Sequence, residues 1–320
     1  MESTHARARP RRRRGPVLAA VLGGLLVTLG VTSPAGASGA TRPAAKAAAR
    51  INVVVAENFW GSIVKQLAGS HGDVTSIVTN PATDPHSYEP KPSDSRAIAG
   101  ARYVVVNGIG YDPWAQQALE ANPSSGRKVL VVGELLGLKD GDNPHQWYSP
   151  DSVERFIDRV TGDLERLDPR DARAFDAQRS QFETVGLKQY RAVIASIRQK
   201  YAGTPVGASE SIFSPLADGL GLKVLTPPSF LKAIAEGTDP SAADKESIDH
   251  QVTAKQIKVF VFNSQNSTPD VQAIVKEAKA EAVPVTTVTE TLAPANVTFQ
   301  AWQVKQLLAL QAALAKATGS

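Results

Sequence analysis

The stretch Ile51-Asn-Val-Val-Val-Ala56 runs straight into residues 58–67, where Phe59, Ile63 and Leu67 recur at helical spacing before Gly69. A short β-branched run, an amphipathic helix and a glycine stop make one strand–helix unit. The unit recurs outward along the chain. Strands are expected over 74–79, 103–107 and 128–132, with helices over 93–101 and 114–121 between them. A second series opens at Pro205-Val-Gly-Ala-Ser209, with strands over 223–226, 257–262 and 283–286 and helices over 239–253, 269–281 and 298–315. Strands alternating with helices predict parallel sheets covered on both faces. Between the two series, Ser149-Pro150 starts a helix to about Leu167, with serine as N-cap and proline in the first turn. Asp168-Pro169 opens another that can reach Tyr201, with Gly186 its one weak point. At 1.5 Å per residue that is a rod of roughly 50 Å. The fold class expected is therefore α/β: two lobes, each a mainly parallel sheet flanked by helices, joined by one long rigid helix. The lobes are assigned to 51–167 and 203–320, and the linking helix to 168–202.

The chain has 320 residues, 42% of them hydrophobic and 21% charged, enough to bury a substantial core. It contains no cysteine, which excludes disulfides, thiolate metal sites and a cysteine nucleophile. The net charge of +4 has a local origin. Six arginines (Arg7, Arg9, Arg11, Arg12, Arg13, Arg14) precede an apolar run over 17–31 and the small-residue site Ala35-Gly-Ala37. That order reads as a secretory signal peptide over 1–37, followed by a lead-in of small residues over 38–50. Removing 1–37 leaves 29 of the 35 basic residues and 30 of the 31 acids. The mature chain is then nearly neutral, and no nucleic-acid partner is expected.

Ligands of parallel α/β lobes bind beyond the carboxyl ends of the strands. Two histidines fall there: His86 in Asp84-Pro-His-Ser-Tyr-Glu-Pro90, and His145 in Asp142-Asn-Pro-His-Gln-Trp147. Each follows a proline, which fixes φ and stiffens the support of the imidazole. A histidine in such a loop can simply cap backbone groups. A pair aimed at one crevice suits a metal better, imidazole being the commonest metal ligand. His71, in a Gly-Ser-His-Gly turn, and His250, in a charged helix, are expected at the surface. From the second lobe, Glu210 follows the 205–209 strand and Glu290 follows the 283–286 strand. Two imidazoles facing two carboxylates would give an N₂O₂ shell for a divalent cation.

Taken together, these segments resemble the zinc/manganese-type metal-binding receptors (solute-binding proteins) of bacterial ABC importers. The matching stretches are Ala56-Glu-Asn-Phe-Trp60, Asp84-Pro-His-Ser-Tyr-Glu-Pro90, Asn107-Gly-Ile-Gly-Tyr-Asp-Pro-Trp114, Asn143-Pro-His-Gln-Trp147, Gly207-Ala-Ser-Glu210 and Thr289-Glu-Thr-Leu292. The resemblance implies four metal ligands at His86, His145, Glu210 and Glu290, with two lobes linked by one rigid helix. Two departures bear on the ion. Residues 133–143 carry no histidine, where the zinc branch often has a histidine-rich loop, and Glu210 stands where that branch tends to have histidine. Hard carboxylate oxygens suit Mn²⁺ or Fe²⁺, although Zn²⁺ binds such sites tightly as well. The fourth position is usually aspartate, so Glu290 adds a methylene.

The function expected is capture of a divalent transition metal (Mn²⁺, Zn²⁺ or Fe²⁺) as cargo between the lobes. A monomeric, exported receptor would deliver it to the membrane permease of an ABC importer. It would not be an enzyme, nor a lipoprotein, having no cysteine to acylate. The rival readings are an exported metal-dependent hydrolase and an organic-solute receptor or adhesin on the same scaffold. The first needs an open coordination position and finds no H-E-x-x-H or nucleophile elbow. The second wants a positioned cation in the cleft, whereas Arg155, Arg159, Arg166 and Arg170 fall on helices. Asn58, Tyr88, Asn107 and Trp147 are candidates to orient the ligands.

Overall fold

The structure is a computed structural model that describes residues 50–83 and 85–319, apart from the side chain of His86. The expected signal peptide and nearly all of the lead-in lie outside the described residues. In chain order the first half contains β1 (Ile51–Glu57), α1 (Asn58–Ala68), β2 (Gly72–Val78), α2 (Pro92–Gly100), β3 (Tyr103–Val106), α3 (Pro113–Ala121), β4 (Lys128–Val131) and α4 (Val132–Leu136). Three helices follow: α5 (Pro150–Leu167), α6 (Ala172–Gln181) and α7 (Lys188–Tyr201). The second half contains β5 (Pro205–Ala208), α8 (Ser214–Leu220), β6 (Lys223–Val224), α9 (Pro228–Ala235), α10 (Ala242–Thr253), β7 (Val259–Asn263), α11 (Pro269–Ala280), β8 (Val285–Val288) and α12 (Phe299–Thr318).

Two four-stranded sheets result, ordered β2-β1-β3-β4 and β6-β5-β7-β8, and every pairing within them is parallel. The alternation of strands and helices in the sequence thus becomes two α/β lobes of the same winding. Strand limits differ from the sequence reading where proline intervenes. β8 pairs from Val285 rather than 283, because Pro284 has no N–H and enters the ladder only as the acceptor for Phe260 N. β6 stops at Val224. Two residues on, the Thr226 hydroxyl accepts from Ala208 N at 2.9 Å, and Pro227-Pro228 then turn the chain into α9.

α5 begins as its N-terminal residues dictate: the Ser149 side chain accepts from Ser152 N, and proline fills the first turn. The rod over 168–202 is not one uninterrupted α-helix. A 3₁₀ turn (Pro169–Asp171) leads into α6, and a π-helical turn (Phe182–Gly186) separates α6 from α7. Leu187 N reaches back five residues to Phe182 O at 2.8 Å. One extra residue in a turn is how a helix absorbs a local misfit, and the glycine at 186 is where helix propensity is lowest.

One apolar core runs through both lobes, from Val53 and Trp60 past Trp147 and Phe156 to Val206, Phe213, Val261 and Trp302. α12 returns to the first lobe, where Phe299 N donates to Ser62 Oγ at 2.9 Å and Gln300 pairs with Gln66. A core shared in this way resists wide opening of the lobes, because opening would expose apolar surface.

Candidate metal centre

His145 leaves the loop after α4 on the support its sequence promised. The Asn143 carbonyl oxygen Oδ1 accepts from His145 N at 3.0 Å and lies 2.8 Å from His145 Nδ1. With that oxygen as acceptor, Nδ1 carries the proton and Nε2 carries the lone pair. Nε2 lies 3.5 Å from Glu290 Oε1. Burial pushes the imidazole down to about 4, against a smaller upward pull from Glu210, so the ring is neutral at physiological pH. The Trp147 ring packs edge-on to His145 and stacks on Phe59 at 3.8 Å, forming an aromatic wall on one side of the imidazole.

Glu210 follows β5 with extended backbone at the head of a 3₁₀ turn (Ser211–Phe213), and its side chain caps nothing. It is 1% exposed, and its carboxyl faces Glu290 and the Asn263 amide. Burial raises its proton affinity well above the ordinary carboxyl range, the negative Glu290 adds to this, and His145 opposes it. Glu290, two residues past β8, is held at both oxygens. Asn263 Nδ2 donates to Oε1 at 3.0 Å and the Tyr111 hydroxyl donates to Oε2 at 3.0 Å.

One donor atom from each of His145, Glu210 and Glu290 lies within 4.8 Å of the others. A neutral imidazole with its lone pair inward, beside two buried carboxyls, is a set of hard and borderline donors short of positive charge. A divalent cation meets that need. A cleft of about 700 Å³, bordered by Pro81, Ser87, Glu236, Gln265, Asn266 and Glu290, opens onto its edge.

Of the four ligand positions expected from sequence, the structure brings three together. The backbone of His86 sits in a 3₁₀ turn (Pro85–Ser87) following β2, and its side chain lies outside the described residues. His71 lies partly exposed, as expected, with Nδ1 2.7 Å from Asp171 Oδ2 and the ring against Phe175. His250 is exposed on α10. Among the orienting candidates, Asn107 donates to the carbonyl of Pro144, beside His145, at 3.1 Å. Asn58 reaches across the lobes, its Oδ1 accepting from Leu292 N at 3.2 Å. Tyr88 bonds Asp94 and packs on Trp114. Sequence reasoning missed Tyr111 and Asn263. Tyr111 stands inside the quoted Asn107–Trp114 motif, and that was its one available signal.

A family model described as ZnuA, zinc-uptake complex component A, periplasmic, matches residues 53–313. The chain is 32% identical over 131 residues to the manganese-binding lipoprotein MntA of Halalkalibacterium halodurans, covering 40% of this chain and 43% of that protein. It is 26% identical over 187 residues to the iron-binding protein YfeA of Yersinia pestis, covering 55% and 58%. The aligned stretches thus span about half the length of these two relatives. Among solved structures, the Mn-bound periplasmic metal binding protein from Candidatus Liberibacter asiaticus superposes with a TM-score of 0.68 at 20% identity, over 83% of this chain and 99% of that one. At that identity the likeness speaks for the fold.

Proposed function

Since the chain belongs to the family of the periplasmic zinc-uptake complex component A, we propose that it captures a divalent transition metal and hands it to the permease of an ABC importer. Family membership favours a binding protein over an enzyme. The observation that carries the reading is the buried convergence of His145, Glu210 and Glu290 from both lobes. His86, on the turn after β2, is proposed as the fourth ligand. The segments 51–167 and 203–320 are proposed as the two lobes, with 168–202 as the brace between them.

In this reading Nε2 of His145 and the carboxylates of Glu210 and Glu290 bind the ion as cargo. Glu210 gives up its proton on binding, and the anchored Glu290 contributes without having to be ordered. One nitrogen and two carboxylates among the three grouped ligands favour Mn²⁺ or Fe²⁺ as the ion carried, with Zn²⁺ a strong competitor in vitro. Relatives named as binding manganese and iron support the same range. The family model's description as periplasmic supports an extracytoplasmic location. MntA is named a lipoprotein, so the expectation of an unlipidated protein draws no support from it.

The test is thermal unfolding with and without Mn²⁺ or Zn²⁺. An ion at a hundred times its Kd stabilises the folded state by about 2.7 kcal/mol. The combined His145→Ala, Glu210→Ala variant should lose the whole gain. A double variant that still responds to metal like the wild type would place the site elsewhere.

A further inference from the structure

A second pair of buried acids lies outside the metal centre. Glu57 ends β1 and is fully buried, yet it makes no cap to α1, and the one N–H its carboxyl meets is its own. Its neighbour is Asp112, 1% exposed in the loop before α3. The two oxygens of Asp112 accept from Asn107 N and Gly108 N, each at 2.7 Å. Two carboxylates side by side in an apolar interior cannot both be ionised without a large electrostatic cost. Asp112, with two backbone N–H groups on it, is the natural seat of the charge. Glu57, with only its own backbone N–H, is the natural seat of a proton.

We propose that Glu57 is held as the carboxylic acid and donates to the Asp112 carboxylate, and that this pair is a positioning device for His145 and Glu290. The route is contiguous. Asp112 fixes the start of the 107–112 loop, in which Gly108, Ile109 and Gly110 are all left-handed. From that loop Asn107 Nδ2 holds the carbonyl of Pro144, the residue before His145, and the Tyr111 hydroxyl holds Glu290 Oε2. Trp60 Nε1 steadies Asn107 from α1, donating to its Oδ1 at 2.9 Å. Burial and the charge of Asp112 both push Glu57 well up, and burial pushes Asp112 up to about 6, leaving it ionised at neutral pH. Asp112 is the charged group whose field reaches Glu57, and Trp60, Asn107 and Gly108 around the pair do not titrate.

The proton stands independently of metal capture, whereas the positioning role rests on that reading, so two measurements separate them. The infrared spectrum of the wild type minus that of Glu57→Gln should contain the carbonyl-stretch band of one protonated carboxylic acid. Any contribution from Glu210 cancels in the subtraction. No such band overturns the shared proton. Mn²⁺ affinity, read by competition with an indicator dye, should fall about 10–100-fold in Glu57→Leu, which fills the space but cannot donate. Glu57→Gln, whose amide still donates to Asp112, should bind at least about tenfold tighter than Glu57→Leu. If Glu57→Leu does not fold, Asp112→Asn replaces it: one amide oxygen cannot serve both backbone N–H groups, and affinity should fall likewise. Wild-type affinity in the variant that is read, or no recovery with glutamine, overturns the positioning role. A wild type that binds neither Mn²⁺ nor Zn²⁺ overturns the metal reading and the positioning role together, while the infrared band still decides the proton.

Discussion

The Tyr111 hydroxyl donates to Glu290 Oε2 at 3.0 Å, joining residues 179 positions apart and tying the loop after β3 to the loop after β8. With Asn263 on the other oxygen, Glu290 is restrained at both ends of its carboxylate, whereas Glu210 has only a share in the Asn263 amide and the neighbouring Glu290. The two acids therefore play unequal parts. One is an oriented anion, and the other is a proton holder waiting for a better partner. Restraint of this kind also answers the extra methylene of Glu290 relative to aspartate, because the longer side chain has little freedom left to lose.

Tyr111→Phe deletes that hydroxyl and leaves the ring in place. Metal affinity should drop about tenfold, by faster release, while stability without metal changes by about 1 kcal/mol. Stopped-flow release of Mn²⁺ into a chelator checks this. An unchanged release rate would mean that Asn263 alone orients the carboxylate.

The pH dependence has two components of opposite sign. His145 has a folded pKa of about 4 against an ordinary 6.5, so its contribution favours folding above 6.5 and fades as pH falls through that window. Glu210 is raised, so its contribution is present below its ordinary value of 4.5 and is lost as pH rises toward its folded value. Asp112 acts like Glu210, but only up to about 6. Glu57 is likewise raised, but in the proposed reading only Glu210 would give up its proton to the ion. The gap in melting temperature between Mn²⁺-loaded and metal-free protein should therefore widen as pH rises above the ordinary carboxyl range. Glu210→Gln should flatten it. A constant gap in the wild type would show that Glu210 holds no extra proton.

Gly108 has φ +71°, and a Cβ there would lie 2.6 Å from Val131 Cγ1. Gly108→Ala meets both left-handed strain and a clash with β4, and should cost about 2–4 kcal/mol in denaturant unfolding. The same loop carries Asn107 and Tyr111, so metal affinity should fall with stability. An alanine variant as stable as the wild type would mean that this loop adapts.

Trp147 is fully buried between Phe59, Tyr111 and His145. Trp147→Ala should lose about 3–5 kcal/mol and most of the metal response, while Trp147→Phe keeps the stack and much of both. Calorimetric melting of the two variants with and without Mn²⁺ separates packing loss from loss of the imidazole wall.

The sequence disclosed most where a residue's local context fixes its place. Runs such as Ile51–Glu57 and Tyr103–Val106 have no amphipathic alternative, and the structure makes them central strands. The Asn-Pro-His context fixed the support of His145 before any fold was known. What stayed hidden depends on distant partners. Nothing local marks Glu57 as different from a surface acid at a helix start, because the apolar enclosure and Asp112 arrive only with tertiary packing. The π-helical turn was equally illegible: Gly186 indicated weakness, but the extra residue answers to packing around Phe182. Ile109 breaks the local rule outright, a β-branched residue at φ +60° that its neighbours hold there, with its side chain occupying the space where a Cβ on Gly133 would fall.

Both sheets wind in one order, and His145 and Glu290 leave after corresponding fourth strands to meet nose to nose. Neither half owns a complete grip. Because nitrogen and oxygen come from different halves, a slide of one half against the other by a fraction of a side chain would part them together. Parting them in this way would need no wide opening of the shared core.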